Sequence, residues 1–166
     1  MTQFNTYENA LELFRSVNCV GSFNNIFIAY KNTSSSPGSA FGAVGGMVQA
    51  LADSQSQNIF KNTDGFLFNQ TDMGIGVFAL KATKALLTYS PDKFEPDMSK
   101  FFFIRYEDIQ ALEVKNFNIF NKKIQAINIY LKNGVKGNLM APVSDKKLPY
   151  QEQCFANFCA NYKKKK

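Results

Sequence analysis

The 166 residues predict an α+β fold, a small antiparallel β-roll of about seven to eight strands closed by a C-terminal helix. Three observations carry that prediction. Short runs rich in Ile, Val, Phe and Tyr recur from residue 58 onward with turn residues between them. The pair Asn133-Gly134 separates two of these runs as a hairpin turn does. The last stretch before the lysine-rich end repeats its apolar residues at helical spacing.

Between Tyr7 and Val17, Leu11, Phe14 and Val17 fall on one side of a helix with Ala10 and Leu13, and Asn5 or Thr6 is placed to cap its start. After Gly21, the run IFIAY (26–30) is a first strand, cut off by the polar run 31–36 and Pro37. Further strands are expected over 66–69, 76–80, 86–89, 101–105, 111–117, 124–132 and 135–140, eight with the first. Asn133-Gly134 predicts a two-residue type I′ hairpin, both of whose central residues need positive φ. A second hairpin is expected around Asn121-Lys122-Lys123. In IQAINIYLK, Ile127, Ile129 and Leu131 alternate with Asn128 and Lys132, the mark of a strand with one buried face. Residues 148–162 read as the final helix, with Pro149 at its start and a stripe of Phe155, Phe158, Cys159 and Tyr162, joined by Cys154.

The stretch GSAFGAVGGMVQALA (38–52) stands apart. Gly38, Gly42, Gly46 and Ala50 repeat every four residues, while Phe41, Val44, Val48 and Leu51 fall on another face. The pattern predicts an inserted helix over about 38–53 with one bulky face and one nearly bare. Gly costs about 1 kcal/mol against Ala inside a helix, so a glycine stripe has to be offset by close backbone packing. Three uses stay open: packing on the domain's own sheet, a self-association or partner face, and a membrane-surface element. The run is about 22 Å long at 1.5 Å per residue, too short to span a bilayer. Gly38, Gly42, Gly46, Phe41, Val44 and Val48, with Lys163 and Lys164 of the basic end, form the candidate interaction surface.

Length and an apolar share of 45% fit one domain over 1–162 followed by a basic tail, 163–166. The net charge of +6 suggests nucleic acid until Lys163, Lys164, Lys165 and Lys166 are set aside, which leaves +2 for the body. Arg15 and Arg105 are the only arginines, too few for a phosphate-tracking face, so no sequence-specific nucleic-acid partner is expected. Cys19, Cys154 and Cys159 are an odd number, which argues against a disulfide framework and for a reducing, cytoplasmic setting. The N-terminal residues lack the basic-then-apolar pattern of a signal peptide. The abundance of Lys, Asn and Phe points to A/T-rich coding and a low-G+C bacterial source.

Residues 65–162 resemble the bacterial pleckstrin-homology-like domains. The resemblance lies in FFFIRYEDIQALEV (101–114), in KNFNIFNKKIQAINIYLKNG (115–134) and in the closing NFCANY. In that family a strand leads into a tyrosine-containing corner, a lysine-rich hairpin follows the next strand, and a C-terminal helix caps the barrel. Tyr106, Glu107, Asp108, Ile109, Leu112 and Val114 match this pattern, and the inserted Gly-rich helix departs from it. The resemblance implies a binding or scaffolding module rather than an active site. It does not bring the phosphoinositide site with it, because the loop after the first strand reads KNTSSSPG, with Lys31 as its single charge.

The chain has no histidine, which removes His-based nucleophile activation and the commonest zinc ligand. Cys154 and Cys159 share a helical stripe but lack two further ligands, so core thiols are the expectation. Asp92, Glu95 and Asp97 lack the ligand spacing of a calcium loop, and Pro91 and Pro96 mark an exposed loop. Glu107 and Asp108 would point apart on a strand and brace the corner rather than pair as acid and base. GSAFGAVGGM lacks the Lys-Ser/Thr end of a phosphate loop. Phe101, Phe102, Phe103, Phe117 and Phe120 could stack bases, but alternate faces of a strand make core and helix cover the simpler account. The reading is therefore a cytoplasmic, non-catalytic module without a cofactor. It binds a protein or peptide partner, or itself, through the Gly-rich helix or an exposed sheet edge. The alternative is a peripheral protein that meets an anionic membrane surface through the apolar side of the Gly-rich helix and the lysine tail.

Overall fold

The structure, a computed structural model, describes residues 3–32 and 59–164. Helix α1 (Tyr7–Ser16) starts where expected, with the Thr6 hydroxyl accepting the Asn9 N–H at 3.2 Å. The strands are β1 (Asn25–Lys31), β2 (Gly65–Gln70), β3 (Gly74–Ala82), β4 (Phe94–Arg105), β5 (Ile109–Asn116), β6 (Ile124–Leu131) and β7 (Lys136–Pro142), followed by helix α2 (Gln151–Lys164). The inserted helix over 38–53 lies outside the described residues.

All seven strands form one antiparallel sheet in the order β4-β3-β2-β1-β7-β6-β5. The expected α+β sheet with a terminal helix is therefore present. Four details of the sequence reading change. Residues 86–89 are not a strand: Leu86 and Tyr89 pack on the sheet's outer face, with Tyr89 stacked on Tyr30 at 5.1 Å, and Leu87 is 93% exposed. Strand β4 begins at Phe94 rather than 101, because Phe94, Glu95 and Pro96 already pair with Ala82, Lys81 and Leu80. Pro96 is tolerated there because β4 is an edge strand, with one side free of ladder bonds among the described residues. The β6–β7 turn is not type I′. Among its residues only Gly134 has positive φ, +93°, and its N–H donates to the Leu131 carbonyl at 3.0 Å. That is a three-residue loop, an ordinary turn closed by a left-handed glycine. Pro149 precedes α2, which starts at Gln151, instead of opening it.

The two halves of the sheet are covered differently. Strands β1 to β3 are buried on both faces. On the inner face Phe27, Phe68, Ile75 and Val77 meet Ile127, Ile129 and Leu139 from β6 and β7, together with Phe155 and Phe158 of α2. On the outer face Ile26, Ile28, Leu67 and Phe78 meet Ala10 and Phe14 of α1. Strands β6 and β7 alternate, with Ile127 and Ile129 buried and Asn128 half-exposed, as the sequence predicted. Cys19 and Cys154 are buried in the outer cluster, and Cys159 packs half-buried on the inner one.

Topology forces the sheet to curl. Strands β4 and β5 are the two edges, about 29 Å apart in a flat seven-stranded sheet. Yet Arg105 ends one and Ile109 begins the other, a reach of about 14 Å at most. The edges therefore meet at this corner and diverge away from it. On the opposite side β1 and β7 pair only through Tyr30–Met140 and Lys31–Leu139. Below that point Gln151 of α2 fills the gap. Its Oε1 accepts the Ile28 N–H at 2.8 Å, and its Nε2 donates to the carbonyls of Ile28 at 3.1 Å and Pro142 at 2.8 Å.

Candidate functional site

The corner that joins the two edges is a one-turn 3-10 segment, Tyr106–Asp108, braced by four side chains. Arg105 holds Asp108 with two bonds, Nε to Oδ2 at 2.9 Å and Nη2 to Oδ1 at 3.1 Å, and reaches Glu107 Oε1 at 2.7 Å. The Tyr106 hydroxyl donates to the Thr71 carbonyl in the β2–β3 turn. Burial, and then the nearby Asp72, push this phenol up to about 12. The bracing role expected of Glu107 and Asp108 is present, although they stand in a turn and not on a strand.

Beside this corner the free side of β4 separates from the β6–β7 turn and leaves a cleft of about 320 Å³. One wall is Phe102, Phe103 and Ile104; the other is Leu131 and Val135, with Ile59 at the entry to β2. The rim is polar, formed by Asp108, Lys132 and Asn133. The Lys132 N–H donates to the Asp108 carbonyl at 2.9 Å, which ties the turn to the corner. The volume is at the small end of the range for ligand pockets, and apolar walls with a few polar groups are typical of such sites. Asp108, the one carboxylate among the described residues that line the cleft, is already engaged by Arg105, so the site is furnished for shape and hydrogen bonding.

Gly38, Phe41, Gly42, Val44, Gly46 and Val48 lie outside the described residues, and Lys163 and Lys164 close α2. The other acidic residues are dispersed: Asp92 pairs with Lys147 at 2.6 Å, Glu95 with Lys81 at 3.0 Å, and Asp97 with Lys100 at 3.9 Å. Lys147, with Ser90, holds the Asp92 carboxyl well below the usual range. Among the described residues no three of His, Cys, Asp or Glu are grouped to hold a metal ion. No described helix is long and apolar enough to cross a membrane. The five phenylalanines form no common platform. Phe101 packs on Phe14 and Phe78 of the outer face, Phe102 and Phe103 line the cleft, and Phe117 and Phe120 lie at the far end of β5. The cleft was missed because its walls come from four separated segments; the triple Phe beside a turn-forming Asn-Gly was the available signal.

No family model, curated protein or solved structure matches the chain.

Proposed function

We infer that this chain is a pleckstrin-homology-like binding module, non-catalytic, that takes a protein or peptide segment along β4 with a bulky apolar side chain seated in the neighbouring cleft. The observation that carries this reading is the pairing of β4 with β3 alone among the described residues, directly beside an apolar cleft of about 320 Å³. An unpaired edge offers backbone donors and acceptors to an added strand, and an adjoining pocket selects its side chains. Supporting the family reading are seven antiparallel strands, the tyrosine-anchored corner at Tyr106 and a C-terminal helix whose Phe155 and Phe158 close the inner core.

Selection of peptides from a random displayed library tests the reading. Selected peptides should slow amide exchange in residues 101–105, and Phe102→Ser with Lys132→Asp should weaken them about tenfold or more. Peptides that bind the double variant unchanged, or that protect another region, would count against it.

A further inference from the structure

The β5–β6 loop, residues 117–123, ends in two neighbouring apolar side chains that the fold leaves bare: Ile119 is 80% exposed and Phe120 is 91% exposed. Single exposed apolar residues are ordinary. Here two adjacent ones are held outward by an ordered turn. Asn118 Oδ1 accepts the N–H groups of Phe120 at 2.9 Å and Asn121 at 2.6 Å, and Asn121 Oδ1 accepts the Lys123 N–H at 3.0 Å. The Phe117 N–H, donating to the Ile124 carbonyl at 3.2 Å, closes the loop at its base. Around this tip stand Lys115, Lys122 and Lys123, all exposed, and residues 115–123 contain no acidic side chain.

We propose that this loop is a membrane anchor, with Ile119 and Phe120 entering the headgroup region of an anionic bilayer and Lys115, Lys122 and Lys123 meeting the lipid phosphates. The charge selects the occupant. Lysine is depleted in protein–protein interfaces, whereas an apolar wedge collared by lysines is the pattern of interfacial membrane contact. Lysine stems can also follow the apolar pair inward while their ammonium groups stay at the phosphate level. The surface is separate from the peptide cleft by the length of β5, about 26 Å for its eight residues, so both can be occupied together. It is also separate from the basic end of α2. The loop joins the sheet beside Pro142, where α2 begins: Val143 N–H donates to the Lys123 carbonyl at 2.8 Å, and Gln151 to that of Pro142. Asn161, near the other end of α2, lies against Gln70.

The chain contains no tryptophan, so Phe120→Trp installs a single fluorescent reporter at the tip. With vesicles of phosphatidylcholine and phosphatidylglycerol, the F120W variant should shift its emission to the blue and be quenched by acyl-brominated lipid. With phosphatidylcholine alone it should do neither. In flotation, Ile119→Ser with Phe120→Ser should weaken partition about tenfold or more. Lys122→Glu with Lys123→Glu should abolish the preference for anionic lipid, and deletion of 163–166 should leave binding in place. All four positions are exposed, so unchanged thermal unfolding of these variants confirms that the fold is intact. Unchanged F120W emission with anionic vesicles overturns the proposal. So does equal binding to neutral vesicles, or binding lost with the tail and unaffected by the loop variants.

Discussion

Gln151 shows how much of this fold rests on one amide. It is fully buried, and its three hydrogen bonds replace the ladder partners that Ile28 would have found on β7. Gln151→Met keeps the length and removes the bonds, leaving one backbone N–H and two carbonyls short of a partner. Net stability should fall by about 3 kcal/mol or more, read from urea unfolding, because each of the three buried unsatisfied groups costs about 1 to 3 kcal/mol. A second residue-scale prediction concerns alkaline pH. Burial pushes the Cys19 thiol up to about 11 from 9.0, and the Tyr106 phenol up to about 12 from 10.0. Tyr30 and Tyr150 move further up for the same cause, with Asp145 and Asp92 adding to the shift at Tyr30 and Cys154 at Tyr150. In the unfolded chain these groups release their protons at ordinary values, so above pH 9 the folded state holds more protons than the unfolded one. Stability therefore falls as pH rises through that window. Burial raises the Cys154 thiol as well, so urea midpoints should be level up to about pH 8 and decline above 9, with Cys19→Ala reducing the first part of the decline.

At the scale of elements, close approach and turn geometry set the tolerances. A Cβ on Gly76 of β3 would sit 2.4 Å from Cys19 Sγ and 3.2 Å from the Phe101 ring. Gly76→Ala should cost about 1 to 3 kcal/mol through overpacking. Combined with Cys19→Ala it should cost less than the two single changes summed, by about 0.5 kcal/mol or more, since both act on one contact. At Gly134 a Cβ meets nothing within 4 Å, so the cost of Gly134→Ala is conformational alone, about 1 kcal/mol for a left-handed residue. These elements were unequally legible in the sequence. The pairing of β6 with β7 was readable because its alternation and the Asn-Gly between them are both local, although the turn type was not. The first half of β4 was not, because Asp92, Glu95, Pro96 and Asp97 have the composition of a loop, and only a tertiary fact, the edge position, makes Pro96 acceptable in a strand. Residues 86–89 misled in the opposite sense: Leu86 and Tyr89 are apolar because they pack on the outer face of the sheet, and no ladder is involved. The cleft was unreadable because residues near 59, 103, 108 and 132 meet only once the sheet has curled.

For the whole molecule, the two halves of the sheet should differ in resistance to opening. Strand β2 lies inside the sheet, paired on both sides and buried at every residue, with the inner cluster on one face and the α1-covered cluster on the other. Strand β5 is an edge, paired among the described residues with β6 alone, and Leu112 is its one buried side chain. Breaking β2 exposes both clusters at once, which amounts to unfolding the domain. Releasing β5 uncovers little apolar area and leaves the α1 face untouched. Native-state hydrogen exchange should therefore find β2 amides exchanging only through global unfolding, at the free energy given by urea, with β5 amides opening earlier through a local fluctuation. Tyr106→Phe should widen that gap. The hydroxyl bond to Thr71 is one tie between the corner at the start of β5 and the doubly covered half, so its loss should speed exchange in β5 while leaving β2 nearly unchanged. Equal protection of β5 and β2, or a Tyr106→Phe effect spread evenly over the sheet, would show that the sheet opens as one unit.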